Sequence, residues 1–130
     1  MPELVSFEYA VLRVVPRVER EEFVNAGVIV FCLAQRYLKA RVHVDEERLR
    51  ALWPALDVAL VRRHLEAFPH ICDGAADAGP IAKLPLRERF QWLVSPRSTV
   101  IQVSAVHSGL CESPALALDD LFGQIVLPCE

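Results

Sequence analysis

The sequence has little of what marks nucleic-acid-binding arms, membrane anchors or disulfide frameworks. Its 130 residues contain 14 Lys and Arg against 17 Asp and Glu, a formal net charge of -3, with no long block of one sign. A nonspecific nucleic-acid binder needs a concentrated positive surface, so nucleic acid is not an expected partner. No apolar run approaches the roughly 20 residues that span a bilayer, and the amino terminus has no charged leader followed by an apolar segment. We therefore expect a cytoplasmic protein without a membrane anchor.

Four cysteines are present, but their spacing does not suit a metal knuckle or a redox centre. Cys32, Cys72, Cys111 and Cys129 form no C-x-x-C pair, and none of the other three histidines, at 43, 64 and 70, falls at a diagnostic metal-ligand spacing with His107. We predict reduced thiols, no metal site and no cofactor. The motifs G-x-x-x-x-G-K-S/T, G-x-S-x-G, H-E-x-x-H and G-x-G-x-x-G are also missing, which removes the usual sequence basis for nucleotide hydrolysis, serine hydrolysis, zinc proteolysis and dinucleotide binding. Other enzyme classes stay open.

Composition and strand patterns indicate one globular domain over residues 1–130. Hydrophobic residues make up 53% of the chain and charged residues 24%, which is enough apolar material for a core. Apolar alternation predicts a first strand over residues 7–15, ended by Pro16. The continuous β-branched run 27–33 predicts a strand in the middle of the sheet, buried on both faces. Alternation over residues 37–44 predicts its hairpin partner, with one solvated face.

Helices are predicted after these strands. Asp45 suits the N-cap of a helix that Pro54 should end or kink, and apolar residues at helical spacing predict a second helix over residues 58–68. A third, short helix over residues 86–93 precedes a strand over 99–104, and Ser113 should cap a last helix that reaches Ile125. This order predicts an α+β fold, a mostly antiparallel sheet with helices packed on one face. Trp53 and Trp92 lie beside helical apolar stripes, so we predict that both pack in the core.

Polar side chains are concentrated between residues 89 and 110, where a helix should lead into a strand and a loop. Arg97, Ser98 and Thr99 suggest an anion pocket, because a guanidinium matches phosphate or carboxylate geometry and hydroxyls add hydrogen bonds. The competing interpretation is a turn into the strand, with Arg97 in a structural salt bridge. His107 has the same ambiguity, since an imidazole can act as a general base, bind a metal or simply hydrogen-bond within a loop.

A second polar block precedes the buried strand. Arg20, Glu22 and Asn25 could project toward one end of the sheet, opposite Arg97 and His107, and there contribute to a ligand site. Glu22 gains a functional role only if it meets Arg97. Otherwise these residues belong to a solvent-facing turn, in which such polar side chains are common.

Five sequence blocks carry a family resemblance along nearly the whole chain. They are Y-A-V-L-R at 9–13, R-E-E-F-V-N-A-G-V at 20–28, R-F-Q-W-L at 89–93, P-R-S at 96–98 and V-H-S-G-L at 106–110. With these blocks the chain resembles the bacterial family called domain of unknown function 3037, which has no established activity to carry over. The resemblance also implies a gene setting beside proteins similar to HipA-like kinases, and hence a kinase of this kind as a partner.

Two hypotheses of different class follow. The first is a noncatalytic accessory or protein-interaction domain that uses a sheet edge or a helix face, with a HipA-like kinase as its partner. The second is a small enzyme or ligand sensor with an anion-binding pocket around Arg97, Ser98 and His107. Side chains that share one concavity would favour the pocket, whereas dispersed side chains beside an exposed apolar patch would favour partner binding.

Overall fold

The computed structural model describes residues 3–97 and 99–128. Five strands and four α-helices follow one another along the chain, joined by two short 3-10 turns at Val18–Arg20 and Pro80–Lys83. The strands are β1 (Val5–Val14), β2 (Val24–Cys32), β3 (Tyr37–Val42), β4 (Ile101–Val103) and β5 (His107–Cys111). The helices are α1 (Glu46–Leu52), α2 (Val58–Cys72), α3 (Leu86–Leu93) and α4 (Pro114–Ile125).

All strand pairs are antiparallel, in the order β3-β2-β1 with β4 and β5 both paired to the free side of β1. β4 and β5 thus form one interrupted edge strand. Ser104 lies in the interruption: its amide donates to the carbonyl of Val11 at 2.9 Å, and its Oγ accepts from the amide of Val11 at 2.8 Å. A side chain therefore replaces one backbone acceptor where the edge strand bends.

β2 contains a bulge that changes its register with β1. Leu12 pairs with Gly27 and Arg13 with Asn25, so Ala26 is the extra residue. Gly27 is required beside it, because a Cβ there would lie 2.8 Å from the carbonyl oxygen of Arg41. The bulge places Arg13 and Asn25 on the same face of the sheet.

Each face of the sheet has its own hydrophobic cluster. One face, called here the α2 face, packs under α1, α2 and α3, and the other, the α4 face, packs under α4. β1 and β2 supply side chains to both clusters, so burial of both faces of β2 is confirmed. The α+β class and the antiparallel sheet are confirmed as well. The helices, however, occupy both faces rather than one, because β2 is apolar on both sides and α4 shields the second.

Local sequence signals predicted most helix ends correctly. The carboxylate of Asp45 accepts from the amide of Arg48 at 3.1 Å, and Ser113 Oγ accepts from the amide of Leu116 at 3.4 Å, so both predicted caps are confirmed. α1 ends before Pro54, as predicted. α2 continues through Pro69 to Cys72, beyond the predicted residue 68. Within the described ranges, no helix is long and apolar enough to cross a membrane.

Candidate interaction groove beside Trp92

An apolar groove of about 380 Å³ opens on the α2 face, between α2, α3 and the start of β4. It is called here the Trp92 groove. Its floor and walls are mainly apolar and aromatic, and basic side chains stand at its margin. The apolar members are Ala67, Phe68, Ile71, Trp92, Leu93 and Ile101, and the polar members are Arg63, His64, Arg97 and Thr99.

Trp92 is exposed in this groove although it belongs to a short amphipathic helix. Phe90 and Leu93 form the buried side of α3, and a residue two positions after Phe90 points about 200° away from it around the helix. Trp92 accordingly stays 44% exposed, and Trp53 stays 37% exposed at the end of α1. The predicted core placement of both tryptophans is therefore wrong. Trp92 lies beside the apolar stripe of α3, whereas Trp53 follows the last residue of α1 with an extended backbone that turns it away from the stripe.

Arg97 closes one end of the groove. Its Nη1 donates to the carbonyl of Leu93 at 2.7 Å and its Nη2 to that of Trp92 at 3.4 Å, at the C-terminus of α3 where the helix dipole favours a cation. The guanidinium centre lies 5.2 Å from the Phe68 ring and 5.1 Å from the Trp92 ring. Desolvation lowers the pKa of Arg97 from its ordinary value, but a guanidinium stays charged at neutral pH.

Arg89 holds the two helices that form the groove. Its Nη1 donates to the carbonyl of Cys72 at 2.8 Å, at the end of α2. Its Nε and Nη2 donate to the carbonyl of Leu84 at 3.2 Å and 2.9 Å, just before α3. One guanidinium fork thus ties the C-terminus of α2 to the segment that leads into α3.

The charged side chains that line the groove are all basic. Arg63 and Arg97 are not ion-paired to any carboxylate of the described part of the chain. No Asp or Glu occurs among the described residues that line the groove, although the chain as a whole is acidic. An apolar groove whose guanidinium groups have no carboxylate partner can bind an apolar or aromatic side chain that is flanked by carboxylates.

The other members of the first polar block do not gather around Arg97. Thr99 lines the groove, but its Oγ1 donates to the carbonyl of Ile101 at 2.9 Å, as in a turn that leads into a strand. Ser98 lies outside the described residues. His107 lies in β5, opposite Tyr9, and its ring centroid is 5.2 Å from the Tyr9 ring on the α4 face. Arg97 and His107 therefore lie on opposite faces of the sheet.

The second polar block is also divided. Arg20 and Glu22 form an exposed ion pair with each other, and Glu22 is not ion-paired to Arg97. Asn25 lies on the α4 face, where its Nδ2 donates to the carbonyl of Ile125 at 3.3 Å. Asn25 is thus separated from the groove by the sheet, and neither Arg20 nor Glu22 lines the groove.

A larger concavity, of about 680 Å³, lies at the other end of the α2 face, and Ser6, Glu8, Arg87 and Ser108 are among its lining residues. Its lining also contains apolar side chains, and it carries both an acid, Glu8, and a base, Arg87, so it has no uniform charge preference. We take the Trp92 groove as the stronger site because it combines an exposed aromatic side chain, an apolar lining and charge of one sign.

Sequence reasoning missed Arg63 and His64 and assigned Trp92 to the core. The exposure of Trp92 could have been predicted from the spacing of Phe90 and Leu93. These two residues define the buried stripe of α3, and Trp92 lies off that stripe. Arg63 and His64 carried no such signal, because α2 is amphipathic and exposed polar residues are normal on its outer side. In the described segments, no three His, Cys, Asp or Glu side chains gather where they could hold a metal ion.

Comparison with known proteins gives a family and nothing more specific. No curated protein matches the chain, and no solved structure matches it. Residues 9–126 match the family described as "Protein of unknown function (DUF3037)", a span that runs from the middle of β1 to just past the end of α4. Because this match covers nearly the whole domain, the chain belongs to the DUF3037 family.

Proposed function

We propose that this protein is a noncatalytic interaction domain that captures an acidic, amphipathic segment of a partner protein in the Trp92 groove. The observation that carries the proposal is the exposed Trp92 ring beside Phe68, with Arg63 and Arg97 at the margin and no acid in the lining. Aromatic and arginine side chains dominate the binding energy of protein interfaces. Guanidinium groups at the margin steer and orient a partner of opposite charge.

The partner that the family resemblance suggests is a HipA-like kinase, which makes this chain its accessory protein. We place the interaction in the cytoplasm, where the free thiols of Cys32, Cys72 and Cys111 stay reduced. The competing proposal is a small enzyme or ligand sensor at Arg97, Ser98 and His107. It has less support, because Arg97 and His107 lie on opposite faces of the sheet.

Co-expression with a HipA-like kinase tests the partner, and a pair of tryptophan variants tests the groove. We expect a complex that survives size-exclusion chromatography at micromolar concentration. Trp92→Ala should weaken it by about 30-fold, the effect of an interface hot spot of roughly 2 kcal/mol. Trp53→Ala removes a comparably exposed ring at another surface and should leave the affinity unchanged.

Clean separation of the two wild-type proteins would reject the kinase as partner. A complex that is equally sensitive to both tryptophan substitutions would reject the groove. A peptide library displayed on phage tests the groove independently of the kinase. Peptides retained by the wild type and lost on Trp92→Ala should carry an aliphatic or aromatic anchor flanked by Asp or Glu, and enrichment of Lys or Arg would contradict the proposal.

Charge reversal at the margin gives a further readout within the same experiment. Arg63→Glu should weaken binding more than Arg63→Gln, and added salt should weaken the wild-type complex. Both effects are expected because the arginines at the margin attract the partner's carboxylates electrostatically, and salt screens this attraction. Loss of affinity that does not differ between the two substitutions would mean that Arg63 contributes packing alone.

A further inference from the structure

A second polar site lies on the α4 face, at the end of the sheet opposite the β5 pairing. Arg13 in β1 pairs with Asn25 in β2 on one side and with Gln102 in β4 on the other. A guanidinium thus stands between two carboxamides in one row across three strands. The row adjoins a concavity of about 430 Å³, which is lined by Arg13, Val15, Val18, Glu21, Phe23 and Gln102.

Arg13 is held in place but not neutralised. Its guanidinium centre lies 4.4 Å from the Phe23 ring centroid, and its Nε is buried without a hydrogen-bond partner. No carboxylate of residues 3–97 or 99–128 is ion-paired with it. The Oδ1 of the neighbouring Asn25 is likewise buried without a partner. Buried polar atoms are nearly always satisfied, so these two atoms need partners, and the guanidinium that lines the concavity has no counterion among the described residues.

We propose that this concavity binds a small organic monocarboxylate with a short apolar body. The carboxylate accepts hydrogen bonds from the guanidinium of Arg13, whose fork matches two carboxylate oxygens. Phe23 and Val18, which are 45% and 38% exposed, cover the apolar body. Glu21 in the wall selects for low charge, because a second negative charge on the ligand would be repelled while only one guanidinium compensates it.

Asn25 acts as a positioning residue in this proposal. Its Nδ2 is fixed by the carbonyl of Ile125, so its Oδ1 faces the interior beside Arg13 rather than solvent. When the guanidinium turns its Nη edge to the ligand, Nε can donate to this oxygen, because donor and acceptor belong to directly opposed residues. The two unsatisfied atoms then satisfy each other.

The site is independent of the Trp92 groove. Arg13 and Phe23 lie on the opposite face of the sheet from Trp92, and the two concavities share no lining residue. A protein without affinity for partner peptides can therefore still bind a carboxylate, and the reverse also holds.

Titration of the purified full chain with butyrate, followed by ¹H–¹⁵N NMR, tests the inference. We expect saturable shifts of the Nε–H resonance of Arg13 and of the backbone amides of Phe23 and Gln102. Butyrate should bind more tightly than acetate, which lacks the apolar body, and more tightly than inorganic phosphate, with sodium chloride at equal ionic strength as the reference. Absence of saturable shifts would overturn the proposal, and tighter binding of phosphate would overturn the assignment to a carboxylate.

Variants separate the ligand site from nonspecific charge. Arg13→Gln should weaken butyrate binding at least tenfold. Glu21→Gln should strengthen it a few-fold, because it removes an exposed negative charge from the wall, and Glu66→Gln on the far side of the sheet should have no effect. If Arg13→Gln does not fold, the butyrate affinities of the Glu21→Gln and Glu66→Gln variants test the proposal instead. Equal affinity in those two would contradict the proposal, as would a crystal structure in which one water joins Arg13 Nε to Asn25 Oδ1 with no butyrate bound at saturating concentration.

Discussion

The contribution of Arg89 to stability can be worked out from its contacts. The side chain donates three hydrogen bonds to two carbonyl oxygens, those of Cys72 and Leu84. A hydrogen bond from a charged donor contributes about 1.5–3 kcal/mol, but bonds that share one acceptor are not additive. Because Arg89 is only partly buried, water will also reach part of the vacated space. We therefore expect Arg89→Met to lower the free energy of unfolding by about 3 kcal/mol.

Urea unfolding followed by circular dichroism measures this loss. With a denaturant dependence of about 1.5 kcal/mol per M, the transition midpoint should fall by roughly 2 M. Arg87→Met is the matched control: it makes the same exchange in the same helix, but the Arg87 side chain is exposed and lies 5.5 Å from the Phe31 ring. Its cost should stay within about 0.5 kcal/mol. Equal midpoints for the two variants would refute the assignment of Arg89 as the tie between α2 and α3.

Two further predictions concern the edge strand and the thiols. Ser104→Ala should lower the free energy of unfolding in urea by about 2 kcal/mol and speed hydrogen exchange at the Val11 amide, because that amide loses its acceptor. Ser104→Thr keeps the hydroxyl and is the control. An alanine variant as stable as the wild type would contradict this role of Ser104. Burial raises the pKa of the Cys72 thiol from 9.0 to about 12, so its thiolate fraction at pH 8 falls roughly a thousandfold. Mass spectrometry after native alkylation should find Cys111 labelled and Cys72 protected until urea is added, and equal labelling of the two would contradict the burial.

The fold was predictable where a local rule decides the outcome. Asp45 and Ser113 cap helices by hydrogen bonds within their own segments, and Pro54 interrupts a helix through its own ring. The central strand was predictable because a continuous apolar run needs cover on both faces. β5 was not predicted as a strand, since His107, Ser108 and Gly109 have no strong strand preference, and it is their pairing with β1 that orders them.

The candidate sites were less predictable because both depend on which face a side chain takes. Arg97 and His107 are close in sequence, yet the bend at Ser104 and the change from turn to strand place them on opposite sides of the sheet. Arg13 and Asn25 come together only through the bulge in β2, which shifts the register by one residue. Pairing register is a tertiary property, and the apolar pattern of a strand does not reveal where its partner carries an extra residue.

The alternation of β1 has a consequence for how this domain can change through evolution. Leu12 packs in the cluster under α2, while the adjacent Arg13 faces the α4 side of the sheet. One strand therefore carries side chains toward both faces on which we propose binding sites. Deleting one residue upstream in β1 would exchange the two environments, inserting a cation into the hydrophobic interior and turning a leucine outward. Substitutions can therefore tune either surface separately, whereas insertions and deletions in this strand would damage both at once.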